Sequence, residues 1–278
     1  MNIPTIHGQI TKEFDLLRES VDPVFDKYCQ SAAQGRGINI TPFMRRLRQH
    51  TKGYRVFPRL QYVNESLSDV SANVREFWYP SLSGICYEPD APEDDATVKP
   101  AKIDVIFYLT AKNKRVTLSE HGVRHLQYRF YNVVLHELIH RVQYAMGRRV
   151  TSPLVFRPHT KAKLTASERN LQMYLGEIDE IEAYARDCVE EWFFWHPHEP
   201  LTFRQLRKEF AAGGQRLSVL QFYHAVFYGD DDHPAIRRLF RKVLAWNDIT
   251  TPLVAHSPFS QMCAQTSPRL GAPGYVPV

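Results

Sequence analysis

The segment Tyr131-Asn132-Val133-Val134-Leu135-His136-Glu137-Leu138-Ile139-His140-Arg141-Val142 decides how the rest of the chain is read. In and around it, Leu126, Phe130, Val133, Val134, Leu138 and Val142 recur at the three-to-four-residue spacing of a helix that buries one face. Ser119 lies ahead of this run and Gly147 follows it as a stop, so the pattern predicts a helix over 125–146. Residues four apart on a helix are offset by about 40° around the axis and about 6 Å along it. His136 and His140 therefore project from one face, one turn apart. Two imidazoles so placed can grip one metal ion, with Glu137 beside the first of them as a proton acceptor.

With 12 histidines in the chain, a His-Glu-x-x-His pattern arises by chance only about 0.03 times at this length and composition. Catalytic zinc takes three protein ligands and leaves one position for water, whose pKa it lowers to about 7. The pattern thus supplies two ligands and a general base. The plainer alternative is a core helix whose histidines satisfy hydrogen bonds, or a site that has lost its metal.

A second apolar-rich pattern predicts a helix over about 179–195, and its opening reads Gly176-Glu177-Ile178-Asp179-Glu180-Ile181-Glu182-Ala183-Tyr184-Ala185. With this segment in view, the chain resembles the zincin metallopeptidases of the branch whose third zinc ligand is a glutamate on a later helix. The resemblance covers residues 131–187 and extends to small zincin-like proteins of bacteria and phages. Matching Glu180 and Ala183 to the E-x-x-A segment of that branch implies Glu180 as third ligand, with His136, His140 and a Zn2+ ion. The metzincin continuation is absent, since Arg-Val-Gln-Tyr-Ala-Met follows His140.

Two other carboxylates compete with Glu180. Asp179 followed three residues later by Glu182 is a capping-box spacing, which gives Glu182 a structural role at the helix start. Glu177 lies just before the helix and can approach a metal from a loop. Tyr184, one turn beyond Glu180 on the same face, is placed to orient a ligand or to donate to a developing oxyanion. Tyr223, His224 and Tyr228 are further donors of that kind.

Outward from these motifs, apolar spacing predicts amphipathic helices over 11–29 and 41–49. Strands are expected over 54–63 and 103–109, separated by an acidic, Pro-rich loop at 89–95. A basic structureless stretch follows over 148–163, then helices over 203–210, 218–227 and 234–246, and a Pro-rich tail after Thr251. The expected fold is α+β and zincin-like: a small mixed sheet packed on the metal helix, with the ligand-bearing helix crossing below. Its organisation reads as an N-terminal helical segment 1–50, a catalytic core 51–200 and C-terminal helices with the tail 201–278, in one compact unit. The strand at 103–109 is expected at the sheet edge, where a substrate peptide would add to it.

The 278 residues are 44% hydrophobic and 23% charged, the balance of a globular protein with a packed core. Four cysteines without a C-x-x-C pair suggest neither a cysteine zinc site nor a disulfide framework, and reduced thiols in a cytoplasmic setting are the plainer expectation. No apolar run reaches the about 18 residues of a membrane span, so no membrane partner is expected. Arg45-Arg46-x-Arg48, and the set Arg148, Arg149, Arg157, Lys161 and Lys163, admit contact with nucleic acid, against the simpler reading of a solvated face and a charged loop. Trp192, Phe193, Phe194 and Trp195 read as core.

The expected function is that of a zinc-dependent hydrolase acting on a protein or peptide substrate. One alternative is a structural or interaction protein, such as a component of a phage virion, with a vestigial or bracing zinc site. The other is a nucleic-acid-associated protease.

Overall fold

The computed structural model describes residues 3–36, 38–63, 81–86, 101–110, 115–116, 118–146, 165–196 and 199–254. The architecture is mixed α+β and mostly helical, in two compact units, Met1–Thr151 and Ser152–Val278. The loop expected at 89–95, the basic stretch at 148–163 and the end of the tail lie outside the described residues.

In the first unit, the helices are α1 (Ile3–Ala33), α2 (Ile40–Thr51) and α3 (Glu120–Ala145). Strands β2 (Val56–Val63), β3 (Ser81–Cys86) and β4 (Ile103–Thr110) form a sheet in the order β2-β4-β3. The short strands β1 (Ile38–Asn39) and β5 (Arg115–Val116) pair separately. β2 runs parallel to β4 with Val56 opposite Ile103, and β3 runs antiparallel with Cys86 opposite Ile103. β4 is therefore the central strand, which corrects the expectation that it forms an edge. The reason is β3, which covers the other side of β4. Its sequence Ser-Leu-Ser-Gly-Ile-Cys is poor in β-branched residues and gave no strand signal.

Alternation on β4 sends Ile103, Val105 and Phe107 inward, all fully buried. Phe107 stacks on Phe130 of α3 at 6.2 Å, and Phe25 of α1 meets Phe43 of α2 edge-on at 5.5 Å. Such ring pairs add about 0.5–1.5 kcal/mol each to the apolar burial. α3 starts earlier than periodicity predicts because Ser119 caps it, its hydroxyl accepting from the Gly122 N–H at 3.1 Å. Two polar ties flank the His-Glu-x-x-His turn. The Tyr131 hydroxyl donates to Asp22 at 2.5 Å, and Arg141 donates to Glu13 and to the Tyr54 carbonyl.

The second unit contains, among the described residues, α4 (Ala166–Leu175), α5 (Ile178–Trp195), α6 (Phe203–Ala211), α7 (Ser218–Val226) and α8 (Pro234–Val254). α5 packs against α4, α7 and α8, and is so enclosed that Glu182, Arg186, Asp187 and Glu190 are buried along with its apolar side chains. Lys242 of α8 donates to Glu182 at 2.8 Å, and Arg186 donates to Thr250 at 2.7 Å and pairs with Glu190. Trp192, Phe193 and Phe194 are core, while Trp195 is partly exposed.

The expected Asp179/Glu182 capping box is not formed. α5 begins one residue earlier, after Glu177, and Glu182 is committed to Lys242. α4 had no apolar stripe to announce it, because Leu171, Met173 and Tyr174 are exposed while Gln172 and Leu175 face inward. It is held by a complete capping box between Thr165 and Glu168.

The α6–α7 turn requires glycine at two positions for different reasons. Gly213 (φ 81°) has open space where a Cβ would lie, whereas at Gly214 (φ 68°) a Cβ would stand 2.1 Å from the Gln221 backbone nitrogen. Gly213→Ala is expected to destabilise by about 1–2 kcal/mol from backbone conformation alone, and Gly214→Ala by about 2–5 kcal/mol because a clash is added. Urea denaturation of the two variants checks this, and equal losses would contradict it.

Candidate metal centre

On α3, the turn that separates His136 from His140 brings their Nε2 atoms to 3.2 Å, with the rings 5.0 Å apart and nearly perpendicular. His140 is 9% exposed and Glu137 7%, so these two have little access to water, while His136 is half-buried. Two nitrogens bound at about 2.0–2.1 Å to a tetrahedral zinc stand about 3.3–3.4 Å apart. The observed spacing is close to that edge length.

His140 is also oriented from behind. Its Nδ1 donates to Oε1 of Gln143 at 2.8 Å, and Gln143 is 1% exposed. With the proton committed to Nδ1, the neutral ring carries its lone pair on Nε2, the atom facing His136. Two inward lone pairs at this distance repel unless a proton or a cation lies between them.

Glu180 sits in the first turn of α5. The phenol of Tyr174, from α4, hydrogen-bonds with both Glu180 and Tyr184. Although Tyr174 is 42% exposed as a whole residue, desolvation of its phenol, then the Glu180 charge and Tyr184, raise it above the usual tyrosine range, so it stays protonated. Tyr184 in turn packs edge-on against Tyr223 at 5.7 Å and beside Phe222. Burial and the neighbouring Glu180 and Asp179 charges raise the Glu177 carboxyl above its ordinary value.

Among the described residues, one group of three metal-ligating side chains has its donor atoms within 4.8 Å of one another: His136, His140 and Glu180. Neither Glu177 nor Glu182 belongs to it. Two imidazole nitrogens and one carboxylate oxygen form the donor set of a catalytic zinc site, and they suit that ion better than Mg2+ or Ca2+, which prefer all-oxygen shells.

The other candidates are engaged elsewhere. The Tyr223 hydroxyl donates to the Leu175 carbonyl at 3.0 Å, the Tyr228 hydroxyl donates to Glu168, and the His224 ring packs on Phe210. Gln143 and Tyr174 were missed by sequence reasoning. Gln143 was within reach of it, lying three residues beyond His140 on the same helix face. Tyr174 was not, because nothing local identified α4. No family model, curated protein or solved structure matches the chain.

The raised Glu177 carboxyl carries a pH signature. An acid whose folded pKa exceeds its unfolded value opposes folding once it ionises, so the penalty is absent below about pH 4.5 and complete above the folded value. Glu177 makes no side-chain cap bond. Glu177→Gln is therefore expected to stabilise the metal-free protein at neutral pH and to lose that advantage as pH falls towards 4.5. Thermal melts in chelator across this window check the sign.

Proposed function

We propose that this protein is a zinc-dependent hydrolase of peptide bonds, with a zincin-like arrangement in which His136, His140 and Glu180 hold Zn2+. The observation that carries the reading is the approach of those three donors to within 4.8 Å of one another, with Glu137 adjacent to His136 in the chain. When bound, zinc supplies an electrophile that acidifies a water molecule and polarises the scissile carbonyl.

The protein's own groups do the rest. Glu137, nearly buried, accepts the proton of the attacking water and returns it to the leaving nitrogen, so that one C–O bond forms and one C–N bond breaks without net proton uptake. Gln143 fixes the tautomer and orientation of His140. Tyr174 ties the Glu180 carboxylate to α4 and is itself hydrogen-bonded to Tyr184 of α5, which limits the rotamers of Glu180. A protein or peptide substrate in extended form would add to β3, an edge strand among the described residues and one that α3 packs against.

No helix among the described residues is long and apolar enough to cross a membrane. Cys29 and Cys188 are buried free thiols, with Cys29 pushed up to about 11 by burial, which suits a reducing compartment such as the cytoplasm.

Metal analysis and proteolysis test this reading together. Wild type and Glu137→Gln are expected to carry zinc equally, while cleavage of an unfolded protein substrate falls about 10²–10⁴-fold in the variant. Zinc without cleavage by wild type would assign the ion a bracing role, and no zinc at all would end the proposal. Gln143→Leu is expected to weaken zinc binding about 10–100-fold in chelator competition while the protein remains folded. An unchanged affinity would show that the Nδ1 bond does not orient His140.

A further inference from the structure

From Arg36 to Val63 the chain carries seven lysines and arginines and no aspartate or glutamate. Folding converts this bias into a surface. α2 turns Ile40, Phe43, Met44, Leu47 and Thr51 inward, which leaves Arg45 and Arg46 exposed on its outer side, with Lys52 exposed just past its end. Arg48 is held towards β2 by a hydrogen bond from its Nε to the Pro58 carbonyl at 2.7 Å, and Arg59 on β2, 55% exposed, is ion-paired through its Nε with the buried Asp104 at 2.7 Å.

We infer that the exposed face of α2, continued by Lys52, binds the phosphodiester backbone of nucleic acid. The inference does not depend on the zinc site. A protein partner would need an apolar centre to bury, and a bilayer would need apolar side chains to insert. The outer face of α2 offers neither, since Ile40, Phe43, Met44 and Leu47 point inward and Pro42 alone of its apolar residues is exposed. A face whose resource is charge alone fits a polyelectrolyte, whose binding is driven by counterion release. The cations are mainly arginines, whose planar fork matches phosphate oxygens. α2 is 12 residues long, about 18 Å, which faces several backbone phosphates and lets three or four cations each neutralise one.

The test uses the full chain with a fluorescent duplex of about 20 base pairs, a single strand of about the same length, and phosphatidylserine vesicles. Wild type is expected to bind nucleic acid with a Kd of about 10⁻⁴–10⁻⁶ M, weakening about 40- to 150-fold between about 50 and 200 mM salt. Arg45→Ala with Arg46→Ala should flatten the log–log salt slope by about 2. Arg45→Lys with Arg46→Lys should keep the slope, which also guards against a folding defect. Arg204→Ala with Lys208→Ala, two exposed cations on α6, removes the same charge elsewhere and should leave the slope unchanged. Equal effects from the α2 and α6 pairs would overturn the proposal. So would an absence of salt-dependent binding by wild type, or α2-dependent binding to vesicles alone.

Discussion

Tyr131 and Arg141 bracket the turn of α3 that carries the two facing imidazoles, and the rest of the first unit is arranged around the partners they reach. Apolar packing of a helix is tolerant of small slides and rotations. A buried phenol on Asp22 and a buried guanidinium on Glu13 are not, because a shift would strand a charge or a hydroxyl without its partner. The ties come from α1, about two and a half turns apart, so α1 acts as a ruler for α3. The aromatic cluster of Phe25, Phe43, Phe107 and Phe130 fills the space beneath, and β4 supplies its floor. Helix geometry then sets the two imidazoles one turn apart, and the Gln143 bond turns the Nε2 of His140 towards His136.

The start of α5 shows the opposite logic. Glu177, Asp179 and Glu180 gather where the helix dipole favours negative charge, yet burial and mutual repulsion oppose their joint ionisation. The phenol of Tyr174 offsets part of this through its hydrogen bond to Glu180. A carboxylate kept in such company is an expense to folding that a bound cation would relieve.

Legibility in the sequence followed locality. α2, α3 and α6 to α8 were readable because each carries an apolar stripe with a cap or stop signal nearby, and the side-by-side imidazoles are a property of a single helix turn. Glu180 entered by resemblance to a motif and not by periodicity. β3 and the central position of β4 were not readable, since a strand of serine, glycine and cysteine is specified by its partner across the sheet. α4 escaped because Leu171, Met173 and Tyr174 are exposed while the polar Gln172 faces inward beside Leu175. Glu182 misled because a three-residue spacing suggested a cap, while its real partner, Lys242, lies on another helix.

α8 runs beside α5, where its Lys242 neutralises the enclosed Glu182 and its Thr250 accepts a hydrogen bond from Arg186. A chain cut before Pro234 would keep His136, Glu137, His140 and Glu180 intact in its sequence, yet it would leave the scaffold of Glu180 with a naked anion in an apolar setting. Boundaries drawn around the recognisable motifs alone would therefore yield a fragment that holds all the letters of the centre and cannot assemble it.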